Sequence, residues 1–267
     1  LMAESAYDRK DFTAVGVCLP SFINHRTGVV TYTSNLPTWV GVPARDMLSQ
    51  RLGVPLMLDN DANAAAIAEH GMGAGQGAEH MIYITISTGI GGGLILNRRI
   101  FRGSHGMAGE VGHVLLSDSQ GYPCGCGNTG CAESISSGPN MARYAAERIR
   151  QGAQSSISRY AGDEPITTVH IGRALAEEDP LAIETVDHAA EYLARLFSAL
   201  YQTLDIDLLV YGGGAVKVGP RLMERSIARF NSLCRYAAEY PVTFRPAQLG
   251  DDTGIIGAAL LTSMADD

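Results

Sequence analysis

Three of the chain's five cysteines fall within eight residues, as Cys124-Gly125-Cys126-Gly127-Asn128-Thr129-Gly130-Cys131, and His113 lies eleven positions upstream. This stretch restricts the fold more than any other, because three thiolates and one imidazole make a closed tetrahedral ligand set for Zn²⁺. The interleaved glycines suit a backbone that wraps tightly round an ion, since glycine reaches dihedral angles closed to other residues. Three thiolates, a neutral imidazole and the ion would together carry a charge of about −1. With no position left for water, such an ion is expected to be structural, and a zinc hydrolase is not expected. Free thiols or a disulfide are the alternative. Three clustered cysteines cannot all pair among themselves, however, and the rest of the chain is not a disulfide scaffold. Cys18 and Cys234 read as buried thiols.

Two glutamates flank the cluster. Glu110 precedes His113 by three residues and Glu133 follows Cys131 by two. An ion that fixes His113 and Cys131 also fixes the directions of both carboxylates. Two positioned carboxylates and an imidazole suit the hydroxyls of a sugar.

A chain of 267 residues can bury a large core as one big domain or two lobes. Its net charge of −8 argues against a nucleic-acid surface, which needs a basic stripe. No apolar run approaches the ~20 residues of a membrane helix, so no membrane partner is expected. Cysteine use of a metal-bound type fits a reducing compartment, which makes the expected location cytoplasmic.

Along the chain, Ala14–Pro20 reads as a buried strand, Val29–Thr33 as a second and Val54–Leu58 as a third. Trp39, the only tryptophan, sits in a loop where simple packing is expected. Arg45–Leu52 can form a helix that stops at Gly53. The third strand runs straight into Asp59-Asn60-Asp61-Ala62-Asn63 and an alanine-rich helix. Helix capping accounts for one such residue, but four polar residues in five at a strand's carboxyl end is where α/β folds bind ligands. Met81–Ser87 is a strong strand, and Thr88–Gly93 after it reads as a glycine turn able to bring backbone N–H groups to a phosphate. Gly138–Arg150 and 182–204 read as helices, with 151–168 as a polar loop between them. The strand Asp207–Tyr211 feeds Gly212-Gly213-Gly214, and the helix Arg221–Leu233 follows. A short strand near 242–244 and an apolar helix from Ile255 close the chain.

Glu-x-Gly-His followed by Cys-x-Cys-Gly-x-x-Gly-Cys-x-Glu resembles the signature of the ROK family of bacterial sugar kinases and sugar-responsive repressors. The Asn60–Asn63 run, the Thr88–Gly93 turn and the Gly212–Gly214 turn resemble further motifs of that family. The resemblance implies an α/β fold of the actin-like (ribonuclease H-like) two-lobed ATPase type. Residues 1–61, with a helix over 254–267 packed on them, would form an incomplete N-terminal lobe, and 62–253 a C-terminal lobe holding the zinc motif. It also implies an ATP-dependent hexose or N-acyl hexosamine kinase acting at the 6-hydroxyl, with structural zinc and Mg-ATP and a homodimeric assembly. Asp61 would be the catalytic base. Ser34, Asn60, Asp61, Glu110, His113 and Glu133 would contact the sugar, and the loop at Ser21–Phe22 would approach it. Thr88, Gly89, Gly212, Gly213 and Gly214 would hold the nucleotide. A sugar-sensing repressor domain is the alternative, although repressors tend to lose the two motifs at Asn60–Asn63 and Thr88–Gly93. The family's first phosphate motif, an Asp-x-Gly-Gly-Thr hairpin, is not among these 267 residues, so the start of the protein is expected upstream of Leu1.

Overall fold

A computed structural model describes residues 7–8, 11–33 and 37–263. In chain order the main elements begin with β1 (Val15–Leu19), β2 (Phe22–Asn24), β3 (Val29–Tyr32), α1 (Ala44–Leu52), β4 (Leu56–Asn60) and α2 (Asp61–Met72). Next come β5 (Met81–Ile86), β6 (Ile90–Leu96), β7 (Arg99–Ile100), α3 (Ala132–Ser136), α4 (Gly138–Arg150), α5 (Ser156–Ala161) and α6 (Thr168–Ala176). The chain then forms α7 (Pro180–Leu204), β8 (Leu208–Gly212), α8 (Arg221–Leu233), β9 (Thr243–Pro246) and α9 (Thr253–Leu261).

These elements make two compact units. The first comprises 1–79, 93–109 and 247–267, and the second 80–92 and 110–246. The division differs from the one expected at 61/62, because α2 packs within the first unit.

In the first unit β1 and β4 pair in parallel, with Leu19 opposite Asn60 at their carboxyl ends. β2 and β3 form an antiparallel hairpin, the first strand of which shows no periodicity in sequence. Ile23, Val30, Ala44, Leu56 and Leu58 make the core, and Trp39 is among the partly buried residues packed against it. α1 ends where Gly53 turns left-handed at φ 66°, as its sequence predicts. The alanines of α2 allow α9 to approach at backbone distance: a Cβ on Gly257 would lie 2.0 Å from the Ala64 carbonyl oxygen. On the other side of α9, a Cβ on Gly16 of β1 would collide with the Ala258 carbonyl. Fully buried Glu69, near the end of α2, secures this layer. Its carboxylate accepts the backbone N–H groups of Ala74 at 2.8 Å, Gln248 at 3.0 Å and Leu249 at 3.0 Å. Those bonds meet the need of a buried charge for several donors.

In the second unit β8 lies between β5 and β9, parallel to both. β5 is apolar on both faces, as a strand covered by helices must be. The rings of Phe197, Phe230 and Phe244 meet beneath this sheet at centroid distances of 5.6 and 5.3 Å. α7 begins where the Asp179 carboxylate caps the N–H groups of Leu181 and Ala182, both at 3.0 Å. The same carboxylate accepts from Ser155 Oγ and the Ser156 N–H, which anchors α5. Residues 151–168 are therefore not a plain loop. Their helix is fixed by a partner more than twenty residues away, which local periodicity does not register.

The glycine turn expected over Thr88–Gly93 is shorter than its sequence implies, since β6 already starts at Ile90. Gly93 belongs to a strand, and its lack of a side chain serves packing: a Cβ there would stand 2.5 Å from the Ala66 methyl and 2.8 Å from the Ala62 oxygen. Asn97 and Arg98, both at positive φ, make the following turn.

Candidate functional site

The cysteine loop folds as a ligand cage. One ligand atom from each of His113, Cys124, Cys126 and Cys131 lies within 4.8 Å of all the others. His113 Nδ1 is 3.4 Å from Cys124 Sγ, and Cys126 Sγ is 3.5 Å from Cys131 Sγ. A tetrahedral zinc with bonds of about 2.3 Å to sulfur has S···S edges of about 3.8 Å, so these spacings suit that ion. The turn residues Gly127 and Gly130 stand at φ 91° and 89°. At Gly130 a side chain would strike the Ser117 carbonyl, which excludes any other residue. Burial pushes the Cys131 thiol up to about 12, so a thiolate there needs a cation beside it. The donor set and its spacing fit zinc.

The flanking carboxylates are held by the same unit. With Nδ1 turned to Cys124, His113 presents Nε2 toward Glu110, whose Oε2 is 4.0 Å away. Glu133, in the first turn of α3, reaches the turn after β5. Its Oε2 accepts the Ile90 N–H at 2.9 Å. A Cβ on Gly89 would come 2.3 Å from that oxygen, so the glycine at 89 makes room for the carboxylate. A Cβ on Gly112, next to His113, would meet the Ile90 carbonyl at 2.0 Å. The start of β6 is thus seated between the two ends of the cysteine motif.

The nucleotide candidates gather in the second unit as well. Thr88 and Gly214 line a cavity of about 360 Å³ together with Ser87, Gly138, Thr167 and Thr168. Gly89 follows Thr88, and Gly212 and Gly213 lead into Gly214. Gly213 has φ 98°, and a Cβ on it would touch the Ile86 carbonyl at 2.3 Å. The Gly138 N–H donates to the Ser87 carbonyl at 2.9 Å and so ties the start of α4 to the end of β5. Thr167 and Thr168 escaped sequence reasoning because 151–168 carried no motif.

In the first unit, Asn60 caps α2: its Oδ1 accepts from Ala62 N at 2.8 Å and Asn63 N at 3.3 Å. Its amide nitrogen donates to the Ser21 carbonyl at 3.2 Å, which leaves a second N–H for a ligand. The Ser21–Phe22 loop and Asn60 therefore meet. Asp61, the first helical residue, opens to solvent. The protein around it still strips water from the carboxyl and raises its pKa above the ordinary aspartate value, against the lowering effect of the Ala62 N–H. Ser34 lies outside the described residues.

The chain is similar to known proteins over nearly its whole length. The chain is 35% identical to a glucokinase of Halalkalibacterium halodurans over 97% of its own length and 78% of the relative's. A ROK hexokinase from Thermus thermophilus superposes with a TM-score of 0.79 at 35% identity, covering 93% of this chain and 78% of the other. A ROK family glucokinase from Streptomyces griseus, solved with glucose and AMPPNP, superposes with a TM-score of 0.81 at 32% identity, covering 94% and 81%. The fold is that of the actin-like sugar kinases. Residues 1–265 match the ROK family model, and the chain belongs to that family.

Proposed function

We propose that the protein transfers the γ-phosphoryl group of Mg-ATP to the 6-hydroxyl of a hexose or N-acyl hexosamine of the glucose, N-acetylglucosamine or N-acetylmannosamine class. Asp61 carries this reading. It is an exposed aspartate whose pKa the surrounding protein raises, although its Oδ1 accepts the Ala62 N–H at 2.9 Å. A sugar sensor needs no base at that position. Asp61 accepts the hydroxyl proton as the sugar oxygen bonds to phosphorus and the bond to the leaving ADP oxygen breaks. The remaining task is orientation, as in other phosphoryl transfers.

Asn60, Glu110, His113 and Glu133 hold the sugar hydroxyls, and Ser34 contributes to the same task. Thr88 and Gly89, with Gly212, Gly213 and Gly214, hold the nucleotide at the cavity described above. Zinc bound by His113, Cys124, Cys126 and Cys131 acts as a structural ion that keeps the imidazole and Glu133 in place. The protein works as a homodimer in the cytoplasm. The metal-type use of its cysteines supports that location, and among the described residues no helix is long and apolar enough to cross a membrane.

A coupled ADP-release assay with glucose, mannose, N-acetylglucosamine and N-acetylmannosamine is the test. Sugar-dependent ADP release with one of them is expected. Zinc-replete protein that binds a sugar and releases no ADP above background would reject the kinase reading in favour of a sensor.

A further inference from the structure

Asp59 is 4% exposed, one residue from Asn60 and two from Asp61, and nothing in the proposed reaction uses it. Its carboxylate is fully engaged. Oδ1 accepts the backbone N–H of Asn60 at 2.8 Å and the side-chain amide of Asn63 at 2.9 Å. Oδ2 accepts Arg102 Nε at 2.7 Å. Arg102 itself is 25% exposed and follows β7 in sequence, 43 residues from its partner. One oxygen thus holds the two asparagines that bracket Asp61, while the other holds a guanidinium.

The arrangement is directional. Without Arg102 the carboxylate would be a buried, partly paired charge, which is costly unless it takes up a proton or turns toward water. Either response withdraws or weakens the acceptor that fixes the Asn60 backbone. Asn60 in turn supplies the cap for the Ala62 and Asn63 N–H groups and the bond to the Ser21 carbonyl. The direction in which Asp61 leaves the helix therefore depends on the guanidinium two residues beyond β7.

We propose that Arg102 is a positioning residue for phosphoryl transfer, acting through Asp59 on the Asn60–Asn63 turn that presents Asp61. The inference rests on the reading of Asp61 as the base, and it assigns a part to an arginine outside the sugar and nucleotide contacts.

The test compares Arg102→Met, Arg102→Lys and the pair Asp59→Asn/Arg102→Met with the wild-type zinc-loaded protein. Arg102→Met should lower kcat at least tenfold while KM for ATP stays within about twofold. Arg102→Lys, which keeps the charge but loses the planar fork, should fall between the two. The double variant removes both charges and keeps an amide oxygen able to accept from Asn60 and Asn63. Its kcat should return to within about threefold of wild type, which a loss of general stability would not produce. An Arg102→Met protein that keeps kcat within twofold overturns the proposal, as does a double variant no better than the single. Asp61→Asn, run in parallel, separates the two readings: wild-type kcat there removes the base assignment itself. Amide exchange then decides on Arg102, since faster exchange at Ala62 and Asn63 in Arg102→Met supports the relay and unchanged exchange overturns it.

Discussion

Oε2 of Glu133 accepts the backbone N–H of Ile90 at 2.9 Å, so one carboxylate joins the cysteine motif to the turn that leaves β5. The bond spans 43 residues and depends on Gly89, which has no side chain to block the carboxylate. The candidate sugar and nucleotide residues of the second unit are mechanically connected through it.

Gly89→Ala should therefore affect both substrates. The added methyl would sit 2.3 Å from Glu133 Oε2 and displace it. KM for the sugar and KM for ATP should each rise about tenfold, roughly the loss expected when one charge-assisted hydrogen bond is broken. An effect confined to ATP would mean that Glu133 does not transmit the change.

Asp61→Asn should lower kcat by about 10²–10⁴-fold, the usual range for a general base, and leave sugar binding by calorimetry within a few-fold of wild type. Its stability should move the opposite way. The raised pKa of Asp61 means the folded state favours the protonated carboxyl, so its contribution is present at low pH and lost as pH rises through that pKa. At neutral pH the amide removes a strained charge, and the melting temperature should be no lower than that of wild type. The acid limb of wild-type kcat/KM should lie above the ordinary aspartate range.

Metal analysis should find about one zinc per chain. Cys131→Ala, or stripping with a strong chelator, should remove it, with thermal stability and sugar affinity falling together because His113 and Glu133 lose their support. Metal-free protein with undiminished sugar affinity would separate the cage from the site.

His188 offers a pH prediction away from the site. It stacks on Tyr144 at a centroid distance of 4.5 Å with Tyr192 edge-on, and burial lowers its pKa despite the opposing charge of Glu184. A histidine held neutral in the folded state contributes stability that is lost as pH falls below its unfolded value of about 6.5. Melting temperature should drop between pH 7.5 and 5.5, and His188→Phe should reduce that drop by about 2 °C, a shift of under 1 kcal/mol in a domain of this size. An equal drop in both proteins would place the acid sensitivity elsewhere.

The parts legible in sequence were those encoded locally. Gly53 closes α1, Asn60 opens α2, and the ligand spacing places four donors in one cage, all within short stretches of chain. What sequence missed depends on distant partners. α5 forms because Asp179 accepts from Ser155 and Ser156, and Arg102 gains its place only when Asp59 is buried beneath it. The glycines of β6 misled in another way, since a turn and a close helix contact ask for the same residue. Gly93 serves the second need.

The carboxylate of Glu69 gives the molecule an order of assembly. Its acceptors are filled by N–H groups from Gln248 and Leu249, about 180 residues later in the chain. The first unit draws on three separate stretches, whereas the second is nearly continuous from residue 80 to residue 246. On the ribosome, the second unit's chain is complete before the residues that satisfy Glu69 have been made. For these two units the usual N-to-C sequence of domain folding is thereby reversed: the unit with the earlier residues is the last that can close.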